Sequence, residues 1–255
     1  EVDSQDELGK LAQDFNQLAM TLEKNEQMRR AFMADISHEL RTPLAVLRGE
    51  LEAMQDGVRK MTLGSLESLQ SEVSILTKLV DDLHQLSLSD AGALAYRKVD
   101  TDVVHLVQLA EAGSRDRFHS KQLTLTSKLP ESAQVFGDPQ RLSQLFNNLM
   151  ENSLRYTDPN GGLEILGEIR DKLLILTFQD SAPGISDEQL IRIFERFYRT
   201  EGSRNRASGG SGLGLAICQN IVEAHGGQIS ASHSPAGGVR IKVVLPLSVP
   251  HGPRN

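Results

Sequence analysis

The sequence predicts two unlike halves: a coiled-coil helical hairpin that pairs into a dimeric four-helix bundle, followed by an α/β domain. Three observations predict this. Apolar residues recur at spacings of three and four from Leu8 to Leu83, the period of one helix face. Residues 90–100, with Asp90, Gly92 and Asp100, show no period. Beyond Thr101 short apolar runs alternate with amphipathic stretches, as strands and helices do in a mixed domain.

The first 24 residues carry Leu8, Leu11, Phe15, Leu18 and Leu22, a heptad seam. From Leu22 the seam passes through Asn25, Arg29, Phe32, Ile36 and Leu40. Successive steps of four unwind a supercoil, and Asn25 and Arg29 are poor core residues. This stretch reads as an adjustable junction. The first helix ends near Gly57, and a turn around Arg59 to Gly64 leads into a second. The second helix carries Leu66, Leu69, Val73, Leu76, Val80 and Leu83 and runs to about Ser89. Each buried Leu or Val contributes roughly 1.5–3 kcal/mol. Two helices alone cannot bury both stripes, so a homodimer is predicted.

In the second half a helix is predicted over 102–117 and strands over 122–127 and 134–137. Asp138-Pro139 starts a helix, with Asp as N-cap and Pro at the first position. Leu142, Leu145, Phe146, Leu149 and Leu154 follow on it. Strands at 163–169 and 173–179, helices at 187–193 and 213–225, and strands at 228–233 and 239–245 complete the domain. The resulting division is 1–24, 25–90, a linker over 91–100, 101–248, and a disordered tail over 249–255.

Composition narrows the function. The chain has 255 residues, with 27 basic and 34 acidic side chains. A general nucleic-acid binder would carry a basic stripe instead. Cys218 is the single cysteine, so there is no disulfide framework and a reducing compartment is expected. No apolar run reaches the roughly 18 residues of a membrane span, and no signal peptide is visible. The first residue is Glu1 rather than Met, so the chain reads as part of something longer.

Two regions carry chemistry. Ile36, Leu40, Leu44, Leu47 and Leu51 mark one helix face, and at about 100° per residue His38 points away from it. Glu39 adjoins His38, Thr42 stands one turn on, and Pro43 removes a donor from the helix ladder. A surface histidine on a long helix would look similar, but an acid, a hydroxyl and a proline rarely gather around one. Further along, Asn148 and Asn152 share a helix face, with Arg155 and Tyr156 after them. Such a pair is ordinarily solvated surface. Read functionally, the Asn152 amide oxygen suits Mg²⁺, which keeps its waters and bridges phosphates. Arg155 would meet phosphate oxygens and Tyr156 the base or sugar. Asp180, at the end of a buried strand, suits an adenine amino group. Gly209 to Gly214 open a helix whose N–H groups can bind phosphate. They form neither a dinucleotide fingerprint nor a Walker loop.

Ser37-His38-Glu39-Leu40-Arg41-Thr42-Pro43-Leu44 resembles the phospho-acceptor box of sensor histidine kinases. The segments at Asn147–Tyr156, Asp180–Ile185, Phe194–Arg199 and Gly209–Ile217 resemble the N, G1, F and G2 boxes of their ATP-binding domain. That Bergerat-type α/β sandwich is shared with gyrase, Hsp90 and mismatch-repair ATPases. The Asp6 to Asn16 stretch resembles the last helix of a HAMP linker. The resemblance implies autophosphorylation of His38 by ATP, with Glu39 orienting and deprotonating the ring. It implies transfer to an aspartate of a response regulator, and a role for Thr42 in dephosphorylating that partner. It implies ATP contacts from Asn148, Asn152, Arg155, Tyr156, Asp180, Gly184, Ile185, Arg199, Gly210, Ser211, Gly212, Leu213, Gly214 and Leu215, with Mg²⁺ on Asn152. It implies the cytoplasmic portion of a bacterial inner-membrane protein, in which the ATP domain swings about residues 90–100. One departure stands out: Ala182 occupies the place of the first G1 glycine. Two other classes fit less well, an ATP-driven clamp of the same fold and a nucleotide-binding scaffold without turnover.

Overall fold

The computed structural model describes residues 7–200 and 210–248; the predicted tail and most of the polar run after Thr200 lie outside them. The chain divides into two compact units, Glu1–Leu79 and Val80–Asn255.

Helix α1 (Glu7–Gln55) is continuous through both the expected junction and Pro43. Glu26 receives Arg29 at 3.1 Å and Arg30 at 3.0 Å, local pairs that favour helix across the weak seam. Gly57, with φ of +71°, closes the helix in the left-handed region that glycine tolerates. Arg59 in the turn pairs with Glu50 at 2.8 Å, and Ser68 donates to the same carboxylate at 3.4 Å. Helix α2 (Leu63–Asp90) thus folds back along α1. Its start is capped reciprocally: Thr62 N donates to Ser65 Oγ at 2.8 Å and Ser65 N to Thr62 Oγ1 at 3.2 Å.

The α2 stripe that the sequence presents as one buried face splits in two. Leu69, Leu76 and Leu83 are half-buried, while Leu66, Val73 and Val80, seven residues apart, are 43%, 53% and 52% exposed. On α1 Leu44 and Leu51 are exposed as well, again seven apart, as are Leu11, Phe15, Leu18 and Leu22.

After the last turns of α2, the second unit continues with a short strand that the sequence reading missed. β1 (Val99–Asp102) pairs antiparallel with β3 (Gln134–Gly137), so the aperiodic span read as linker ends in a strand. Arg97 N donates to Asp138 Oδ2 at 2.9 Å, and Lys98 Nζ to the Ala224 carbonyl at 2.6 Å. Between these elements lie α3 (Val103–Ser120) and β2 (Thr124–Lys128). Asp102 caps α3 and Asp138 caps α4 (Pro139–Tyr156), whose Gln140 and Arg141 amides it accepts at 3.0 and 3.2 Å.

The main sheet runs β2-β4-β5-β7-β6, with β4 (Gly162–Arg170), β5 (Leu173–Ser181), β6 (Gln228–His233) and β7 (Gly237–Pro246). Only β2 and β4 are parallel. Leu174, Leu176, Phe178 and Asp180 alternate inward along β5, the period of a half-covered strand. Helices α3, α4 and α6 (Gly214–Ala224) cover that face, with Phe146 of α4 stacked on Phe178 at 6.2 Å. The short α5 (Asp187–Arg192) begins at a Ser186–Gln189 capping box. Near the C-terminal end of α6, buried His225 accepts the Asp138 amide at 2.9 Å through Nε2, while Nδ1 faces the Ile221 carbonyl at 2.7 Å. Burial lowers its pKa, so the ring stays neutral and keeps that acceptor.

Candidate functional site

The second half of α4, the end of β5 and the start of α6 meet at one site, joined by the Ser153–Asp180 and Asn148–Gly214 hydrogen bonds. Asn148 and Asn152 face it from α4 on the same helix side. Asn148 Nδ2 donates to the Gly214 carbonyl at 3.4 Å. Asn152 is half-buried, and its amide engages no partner among the described residues. Arg155 is 20% exposed and pairs with Glu151 at 3.4 Å, which also takes Arg117 at 2.6 Å. Burial raises the Glu151 carboxyl, but the two guanidiniums outweigh it and hold the carboxyl below its ordinary range.

The glycine-rich segment packs directly onto these side chains. A Cβ on Gly210 would strike the Arg155 guanidinium and come within 3.5 Å of the Tyr156 hydroxyl. Gly212 adopts φ of +70°, and a Cβ there would lie 2.7 Å from the Phe197 backbone. Only glycine meets both demands. Phe197 N donates to the Gly212 carbonyl at 3.0 Å, joining the segment to residues 193–200. Ser211 Oγ accepts the Leu213 amide at 3.3 Å. Leu213 is wholly buried, so only its backbone can serve a ligand, whereas Gly214 and Leu215 begin α6 half-exposed. Their N–H groups are the unsatisfied donors of a helix start, suited to phosphate.

Asp180 is the buried acid of the pocket. Its Oδ1 accepts Val239 N at 2.6 Å, and Oδ2 accepts Ser153 Oγ at 3.0 Å. Burial pushes its carboxyl up, and those donors pull it back only in part. A Cβ on Gly238 would collide with Asp180, and one on Gly184 would lie 2.7 Å from the Gly237 carbonyl. The turn therefore presses against the strand end with backbone alone. Ile185 is half-buried beside it, as is Arg199 further on. Ala182 is exposed and not among the left-handed residues, so alanine there carries no backbone strain. Buried Thr157 Oγ1, near Ser181 across Gly161, has no partner among the described residues.

Sequence reasoning missed Ser153 and the Val239 amide, and placed Phe197 only within the Phe194–Arg199 segment, without its contact to Gly212. Ser153 was detectable as a small polar residue on the apolar face of α4. The other two act through backbone, which leaves no side-chain signal.

The second predicted site sits on α1. His38 and Thr42 are exposed and Glu39 is half-buried. Thr42 Oγ1 donates to the His38 carbonyl at 3.3 Å, a bond within the helix. Ile36 and Leu40 are half-buried, as their facing requires. Pro43 is buried.

Residues suited to holding Mg²⁺ are sparse. Among the described residues no group of three or more His, Cys, Asp or Glu could bind a metal unaided. A free, neutral amide oxygen such as that of Asn152 fits a hydrated ion shared with phosphates.

Two family models match the chain. "His Kinase A (phospho-acceptor) domain" covers residues 28–92, and "Histidine kinase-, DNA gyrase B-, and HSP90-like ATPase" covers 137–249. The signal transduction histidine-protein kinase BaeS of Escherichia coli (strain K12) is 71% identical over 96% of the chain. The chain spans 52% of that relative's length. The histidine kinase AdeS of Acinetobacter baumannii, a solved structure, is 30% identical with a TM-score of 0.71, covering 83% of this chain and 98% of that one. A crystal structure of the histidine kinase ThkA in complex with the response regulator protein TrrA shares the fold, at 20% identity and TM-score 0.68, covering 96% of this chain and 68% of that one.

Proposed function

The chain belongs to the sensor histidine kinases of two-component systems, and from that premise we propose that it phosphorylates its own His38 with ATP and passes the phosphoryl group to a response-regulator aspartate. The observation that carries this reading is that Asn148, Arg155, Tyr156, Asp180 and the 210–214 backbone are brought together by α4, in a chain that also displays an exposed histidine.

In this mechanism Asp180 accepts the adenine amino group, Tyr156 lies against base or sugar, and Arg155 and the α6 amides hold phosphate oxygens. Gly184, Ile185, Arg199, Ser211, Leu213 and Leu215 line or shape the pocket. Asn152 would hold Mg²⁺, which when bound neutralises phosphate charge and orients the terminal group. His38 Nε2 bonds to the γ-phosphorus as the bond to the β,γ-bridging oxygen breaks and ADP leaves. Glu39 holds the other ring N–H and stabilises the charge that develops on the imidazole. Positioning and electrostatics carry most of the rate in such transfers. The phosphoryl group then moves from nitrogen to a carboxylate oxygen of the regulator. The ThkA–TrrA complex supports a partner of that kind. Thr42 keeps two lone pairs free while its hydroxyl proton serves the helix, so it can orient a water for dephosphorylation.

Incubation with ATP and Mg²⁺ should put acid-labile, base-stable phosphate on the chain. ATP hydrolysis without such label would favour the clamp reading instead. Nucleotide binding without turnover would favour the scaffold reading, whose one sequence support is Ala182.

The heptad-spaced exposed residues Leu66, Val73 and Val80 support a homodimer. Val73→Asp would place a charge in that seam, so sedimentation should show the variant as a monomer where the unaltered chain is a dimer. A variant that stayed dimeric would exclude this face. No helix among the described residues is long and apolar enough to cross a membrane. The HAMP-like start and the longer relatives support a membrane-anchored sensor whose cytoplasmic portion is this chain.

A further inference from the structure

The last turns of α2, which belong to the second unit, are bound to three other segments of that unit. Gln85 accepts Gln144 Nε2 at 2.7 Å, and Ser89 accepts Asn220 Nδ2 at 3.1 Å. Asp90 takes the Arg196 guanidinium through both oxygens, at 2.6 and 2.5 Å. A fork on a carboxylate fixes orientation as well as distance.

The next residue bears on the nucleotide pocket. Phe197 adopts φ of +58°, a left-handed backbone unfavourable for a bulky side chain. Its amide holds the Gly212 carbonyl, and one residue further the Arg192 guanidinium covers the Tyr198 ring at 4.5 Å. A strained residue persists only where its surroundings hold it. Here Arg196 anchors one side to α2, and Gly212 meets the other.

We propose that Arg196 is a positioning residue for nucleotide: its pairing with Asp90 fixes the Phe197 backbone, which places Gly212 of the phosphate-binding segment. This rests on the pocket being an ATP site and adds a coupling to it. Linkage is reciprocal, so a ligand that uses the placed Gly212 must also strengthen the docking of the last turn of α2. The residues involved are outside the phospho-acceptor helix, so the coupling is separable from the chemistry at His38.

The test measures calorimetric binding of a non-hydrolysable ATP analogue with Mg²⁺ to the full chain and to three variants. Asp90→Asn and Arg196→Gln should each weaken affinity about threefold, the scale of a partly exposed ion pair. The swap Asp90→Arg with Arg196→Asp should recover most of that loss. In the unaltered chain the analogue should slow amide exchange over residues 86–90, and in Arg196→Gln it should not. Unchanged or tighter binding in the single variants would overturn the coupling. So would weaker binding with no rescue by the swap and no exchange response, since that pattern is local damage. An unaltered chain that binds no analogue would sink the ATP reading beneath it, a result distinct from both.

Discussion

His38→Ala should abolish phosphorylation of the chain outright while leaving nucleotide affinity unchanged. Of the seven histidines in the sequence, His38 combines an exposed ring on a long helix, an adjoining acid and a buried proline five residues on. His225, by contrast, is buried and both its ring nitrogens are engaged. It cannot reach a phosphate without breaking the cap of α4. His233 is exposed, but it faces Asp187 at 2.7 Å from the edge strand β6. Alanine at 38 removes an exposed side chain from a helix interior where alanine is the best helix former. The fold should therefore survive, and the melting temperature should not fall. The pocket is built from α4, β5, α6 and the 237–238 turn, which the substitution does not touch. Mass spectrometry of the labelled chain, with calorimetry of nucleotide binding as the control, checks both halves. Label that persisted on the variant would place the acceptor elsewhere.

Much of this was legible because the relevant signals are local. The three-four spacing marks α1 and α2 from side chains alone, and Asp138-Pro139 gives the start of α4 within a residue. The facing of Asn148 and Asn152 follows from helix geometry, and the end of β5 near Asp180 from the apolar run Leu173 to Phe178 before it. What was not legible depends on contacts distant in sequence. β1 reads Val99-Asp100-Thr101-Asp102, with no apolar alternation, and is a strand only because β3 offers it an edge. The split of the α2 stripe is invisible to periodicity, since Leu66, Val73 and Val80 fit the same three-four pattern as Leu69, Leu76 and Leu83. The Asp180 donors, one a backbone amide 59 residues away, follow from the β5–β7 pairing and could not be named before it. Phe197 could not be singled out either, because a left-handed phenylalanine contradicts its own propensity and is set by Arg196 and Gly212.

Asp180→Asn should weaken ATP binding by roughly thirtyfold, the scale of one hydrogen bond to a charged group. The substitution keeps size and shape but replaces one acceptor oxygen with a donor. Val239 N, at 2.6 Å, claims the remaining oxygen. The new amide N–H₂ can serve Ser153, whose hydroxyl turns to accept, so the strand end stays satisfied and the fold is kept. An adenine amino group that met the replaced oxygen now meets an N–H₂, and a donor faces a donor. Guanine carries a carbonyl at that position, which the native carboxylate repels and the amide N–H₂ can meet. The preference for ATP over GTP should therefore collapse along with the affinity. A site built around a buried polar partner discriminates strongly because the wrong ligand leaves that partner unpaired. Gly238 makes the position unforgiving, since any side chain there would strike the same carboxylate. Competition binding of the two nucleotides to the variant and the unaltered chain reads both effects. An adenine preference that survived the substitution would remove Asp180 from base recognition and leave the pocket to be defined by its phosphate contacts.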